Sequence, residues 1–128
     1  MPEKPGLAEP TAKQLVEAVS GYLEKAAIPA LEGHAAFHGK VAMNVLAIVA
    51  RELELRPAAA TAEHARLSTL LGHDGDLDSL RRRLCAEIGS GVVTLKTSGL
   101  ADHLLATVAD RMRIDQPSYA TLRLLESK

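Results

Sequence analysis

The chain has 128 residues, of which 47% are hydrophobic, 24% charged and 2% aromatic, with a formal net charge of −1 at pH 7. That balance suits one globular domain with a single core and excludes a disordered polymer or a strongly basic nucleic-acid binder. With Tyr22, Phe37 and Tyr119 as its aromatic residues and no tryptophan, the chain also lacks the material for a base-stacking platform.

Residues 1–10 carry three prolines and a glycine, which predicts a disordered tail ahead of a single helical domain over 11–128. They lack the basic-then-apolar pattern of a signal peptide, and the solitary Cys85 cannot form an internal disulfide, so a cytoplasmic location is expected. A first helix starts at Thr11, which has capping-box spacing to Gln14, and presents Leu15, Val16, Val19, Tyr22, Leu23 and Ala26 on one face. Pro29 and Gly33 then make a tight corner.

Residues 34–55 follow as the most apolar stretch, predicted to be a central helix around which the rest packs. At 100° per residue Phe37, Val41, Val45, Ile48, Val49 and Leu55 gather on one side. Gly39, Met43, Ala47 and Ala50 on the other side are small or flexible, and they are the expected interface of a homodimer. Lys40, Asn44, Arg51 and Glu52 interrupt the run well short of the roughly 20 apolar residues a membrane span needs.

Pro57 suits the first turn of a third helix ending at Gly72. Asp76 caps a fourth, with Leu77, Leu80, Leu84, Cys85 and Ile88 as its buried face. Residues 92–95 read as loop. Ser98 is placed to cap a fifth helix carrying Leu100, Leu104, Leu105, Val108 and Met112, and a short last helix runs from Tyr119 to Leu125. The expected architecture is all-α, a compact bundle of five or six helices.

Chemistry is sparse. His34 and His38 stand one helical turn apart and could share a metal, with Glu52 or His103 brought in from elsewhere, but the Glu of a zincin motif is missing. Asn44 and Arg51 share a line of the central helix, where a polar network with Asp115 or Tyr119, or a pocket for a small anion built from these groups and His38, are the two readings. His73-Asp74-Gly75-Asp76 lacks the later ligands of a calcium loop, and Arg81, Arg82 and Arg83 spread around a helix as a solvated face. No nucleophile elbow, P-loop or dinucleotide fingerprint occurs, so no catalytic residue and no cofactor are assigned, and neither nucleic acid nor membrane is an expected partner.

The runs Ile28-Pro29-Ala30-Leu31-Glu32-Gly33, Phe37-His38, Asn44-Val45-Leu46-Ala47-Ile48-Val49, Arg51-Glu52-Leu53 and Ile114-Asp115-Gln116-Pro117 with Tyr119 resemble a family of small bacterial helical proteins of unassigned function. That family accompanies aminoglycoside-phosphotransferase-like kinases and acyl-CoA dehydrogenases. The resemblance implies a non-catalytic helper beside such enzymes; the alternative is a small-ligand or metal-binding domain using the polar residues of the central helix.

Overall fold

A computed structural model describes residues 8–126. The protein is all-α, with helices α1 (Ala12–Tyr22), α2 (Gly33–Leu71), α3 (Leu77–Gly89), α4 (Leu100–Asp115) and α5 (Ala120–Glu126), and no strand occurs among the described residues. Cα packing divides the chain into two compact units, Met1–Glu54 and Leu55–Lys128.

In the first unit the capping box at Thr11 forms as its spacing predicts. The Thr11 hydroxyl accepts from the Gln14 backbone N–H at 3.2 Å, and the Gln14 side chain accepts from the Thr11 N–H at 2.8 Å. After Tyr22 the chain continues through a π turn (Leu23–Ala27) and a 3-10 turn (Ile28–Ala30) before α2 begins. Lys13 pairs with Glu54 at 3.2 Å, and Gly39 lies against Ile28 and Leu31, so α1 and the N-terminal part of α2 run antiparallel.

The line along which they meet is the small-residue side of α2. Gly39, Met43, Ala47 and Ala50 are half-buried, as are Val16 and Ser20 on α1 and Leu23 at the start of the π turn. The expectation that the small residues face a second copy is corrected at Gly39, where a Cβ would sit 3.0 Å from Ile28 Cγ1 of the same chain. Small side chains let two helices of one chain close. The larger apolar side chains are the exposed ones: Phe37 is 63%, Val45 53% and Val41 43% exposed.

The helix expected to end near Leu55 does not end there. α2 runs unbroken for 39 residues with Pro57 inside it. Proline removes one backbone donor, at a cost of about 3 kcal/mol in an isolated helix. Pro57 sits three residues past the division between the units, and the Thr61 hydroxyl donates to its carbonyl at 3.0 Å.

The second unit holds the core. Leu67, Leu80, Leu84, Val93 and Leu100 form one buried cluster, with Leu70, Leu71 and Leu77 packed against it. At about 25 cal/mol per Å², each fully buried leucine stabilises by roughly 2–3 kcal/mol. α3 is capped as expected, with Asp76 Oδ1 accepting from the Ser79 N–H at 2.9 Å. Only Leu80 and Leu84 of its expected face are buried; Cys85 and Ile88 are exposed, because the inward stripe is narrower than the apolar one. The 92–95 loop is anchored by buried Val93, whose N–H donates to the Glu87 carbonyl at 3.0 Å. Gly99, with φ 91°, occupies the N-cap of α4, so Ser98 is not the cap. The αL turn that only glycine adopts readily sets where that helix begins.

Candidate functional site

Polar groups converge inside the second unit. Glu63 on α2 is 5% exposed and binds the Arg81 guanidinium through two parallel hydrogen bonds, Nε to Oε2 at 2.6 Å and Nη2 to Oε1 at 2.7 Å. Those bonds hold the Glu63 carboxyl below its usual 4.5, outweighing the opposing effect of burial.

One turn along α2, Arg66 reaches α4. Its Nε donates to His103 Nδ1 at 3.1 Å and its Nη2 to Thr107 Oγ1 at 3.2 Å, while the Thr107 hydroxyl donates to the His103 carbonyl at 2.9 Å. A guanidinium only donates, so His103 Nδ1 accepts and the imidazole is neutral with its proton on Nε2. Burial, reinforced by the Arg66 charge and partly offset by Glu63, holds His103 below its usual 6.5.

Beside this network is an open cleft of about 500 Å³ lined by Ala65, Arg66, Thr69, Leu70, Ser98, Gly99, Asp102 and His103. Its polar groups could bind a small polar molecule. The Thr69 hydroxyl donates to the Ala65 carbonyl at 3.1 Å, a local helix bond that leaves it unactivated as a nucleophile.

The residues singled out in the sequence lie elsewhere. His34 and His38 are exposed at the start of α2, with the His38 ring edge-on to Phe37 at 5.6 Å between centroids. His103, one suggested third ligand, has Nδ1 committed to Arg66. Among the described residues no group of three or more His, Cys, Asp or Glu is placed to hold a metal ion. Asn44 is exposed and Arg51 half-buried in the first unit; Asp115 and Tyr119 belong to the second. The Asp115 carboxylate accepts from Arg111 Nε at 2.8 Å, and the Tyr119 backbone N–H donates to the Gln116 carbonyl at 3.0 Å.

Sequence reasoning missed Glu63, Arg66 and Thr107, and offered His103 only as a third ligand for a metal rather than as the acceptor of an arginine. The available signal was that Glu63 and Arg66 share the side of the helix that carries Leu67 and Leu70, where a charged residue needs a partner. Arg81, read as part of a solvated run, is the member that turns inward to supply one, while Arg83 pairs along α3 with Glu87 at 3.3 Å.

The second feature is apolar and lies in the first unit. Leu15, Val19 and Tyr22 on α1 and Val45, Val49 and Leu53 on α2 are all exposed, Tyr22 by 64% and Leu15 by 56%. The amphipathic side expected to pack inward on α1 is thus split: Val16 and Leu23 turn toward α2, and the other large residues face solvent.

Fold and site together define a small all-α protein with a helical hairpin that displays apolar side chains and a second unit cored by leucines, in which a buried carboxylate pairs with a half-exposed arginine. Residues 29–119, most of the chain, match the family described as Domain of unknown function (DUF6285), and the chain belongs to that family. No curated protein and no solved structure matches it. No helix among the described residues is long and apolar enough to cross a membrane.

Proposed function

We propose that this protein is a non-catalytic interaction module, a cytoplasmic accessory subunit that acts as a homodimer and engages an aminoglycoside-phosphotransferase-like kinase or an acyl-CoA dehydrogenase. The observation that carries the reading is the apolar side of the first unit, where six large side chains on two helices stand in solvent. Exposed apolar residues gathered on one surface are the usual mark of a protein–protein contact. The class of partner comes from the resemblance of the Ile28–Gly33, Asn44–Val49 and Ile114–Pro117 runs to proteins that accompany those enzymes.

Co-expression of the chain with an aminoglycoside-phosphotransferase-like kinase and, separately, an acyl-CoA dehydrogenase from the same organism tests this reading. A stoichiometric complex on size exclusion supports it, and separate elution of all three at about 100 µM, where a complex of micromolar dissociation constant stays assembled, refutes it.

A second reading, a small-ligand domain, is supported by the cleft beside Arg66 and His103 rather than by His38, Asn44 and Arg51. It predicts that native mass spectrometry of protein taken from its own cells finds a bound mass that Arg66→Ala removes.

A further inference from the structure

We infer that the apolar side of the first unit is covered by the same side of a second copy, so that two helical hairpins close into an antiparallel four-helix bundle. The inference rests on the reading above that this unit is a protein-binding surface, and it names the occupant.

The spacing of residues on each helix carries the argument. On α1 and its continuation, Ala12, Leu15, Val19, Tyr22 and Ala26 recur at alternating intervals of three and four, and on α2 Ala35, His38, Ala42, Val45 and Val49 do the same. That alternation is the a/d pattern of a coiled-coil seam. Neither seam is the one already used within the chain, which runs through Val16 and Ser20 on α1, Leu23 in its continuation, and Gly39, Met43 and Ala50 on α2. Each free seam lies about a quarter turn, in the same rotational sense, from the contact line of its own helix. In an antiparallel pair, equal rotation in the same sense brings both seams to one side of the pair. The hairpin therefore carries two adjacent seams per helix, as a helix of a four-helix bundle does.

Area and charge select the partner. The six large side chains expose about 550 Å² per copy, so two copies present roughly 1,100 Å² before the alanines are counted, at the lower bound of a specific interface. From Ala12 to Ala26 and from Ala35 to Val49 no Asp, Glu, Lys or Arg lies on a seam, and the α2 register meets its first charge at Glu52, beyond Val49; Lys13, Glu17 and Glu24 project on the other side of their helix. Over that length a second copy meets this side without burying a charge, whereas a charged partner surface would be desolvated against it unpaired.

Symmetry also fits. Lys13 stands level with Glu54 and Ile28 with Gly39, which brings Val19 level with Val49. The α1 seam reads Ala-Leu-Val-Tyr-Ala, large residues either side of Val19 and small ones at the ends, so a two-fold axis at that level sets Leu15 against Tyr22 and Val19 against itself.

The test uses the full chain in native mass spectrometry and sedimentation, with helicity followed by circular dichroism. Wild type and Phe37→Glu, whose change lies off the seam, are expected as dimers, and Val49→Glu as a helical monomer with a dimer dissociation constant raised about a hundredfold by its buried charge. In a Cys85→Ser background, Val19→Cys is expected to oxidise to a disulfide-linked dimer, a result that does not depend on how Val49→Glu folds. A monomeric wild type, a dimer unaffected by Val49→Glu, or no cross-link at Val19→Cys overturns the inference. A monomer that still binds the kinase or dehydrogenase removes the second copy alone, and a dimer that binds neither removes only the partner enzymes.

Discussion

Replacing Arg81 by methionine keeps the length of the side chain and strands Glu63, whose side chain is 7% exposed, without its cation. Removing one partner of a fully buried pair costs about 3–5 kcal/mol because the remaining charge stays desolvated. Here the Arg81 side chain is 43% exposed, so water screens the pair from one side, and the expected loss is nearer 2–3 kcal/mol. Glu63→Gln should cost less, about 1–2 kcal/mol, since the neutral amide can still accept one of the two bonds. Urea denaturation of Arg81→Met, Glu63→Leu and the double variant completes a cycle in which the double variant is more stable than the sum of the singles predicts, by at least about 1.5 kcal/mol. A loss below about 0.5 kcal/mol for Arg81→Met, with additive effects, would refute the claim that this ion pair holds α3 to α2.

Further outcomes follow from the two histidine and carboxylate contacts, the helix packing at Gly39 and the leucine core. His103 titrates below 6.5 in the folded chain, so the unfolded chain binds more protons there and stability is complete above pH 6.5 and declines as the pH falls below it; His103→Gln should flatten that decline in a series of melts. Glu63, also held low, adds a separate loss below about pH 4.5 that persists in His103→Gln. Gly39→Leu forces side chain into the 3.0 Å gap to Ile28 and should cost about 1–3 kcal/mol, whereas Gly21→Ala, with nothing within 4 Å of its new Cβ, should gain up to about 1 kcal/mol of helix propensity. Leu67→Ala, at a fully buried position of the second unit, should lose about 2–5 kcal/mol in chemical denaturation.

The parts of the fold legible in the sequence are those decided within a few residues. The Thr11–Gln14 box and the Asp76 cap form as their spacing requires, because donor and acceptor are three residues apart whatever the rest of the chain does. Pro57 was a poor guide, since a helix supported by packing on both sides of a proline can retain it, and α2 does. Periodicity identified the apolar sides of α1 and α2 but carries no information on what covers them. Leu15, Val19 and Val45 fit an interior or an interface equally well in sequence, and their exposure excludes the interior of this chain. The Glu63–Arg81 and Arg66–His103 contacts span 18 and 37 residues, so nothing local announced them. A buried charge is visible in sequence only as a polar residue in an apolar register, and its partner emerges with the tertiary fold.

The central claim is that the exposed side of the first unit is an interface. Sedimentation velocity of the wild-type chain over about 1–100 µM is its most direct test, because dimer formation follows concentration by mass action. A self-associating first unit gives a species of twice the 13.6 kDa chain mass that yields to monomer only at the dilute end. A single species at 13.6 kDa throughout would contradict it.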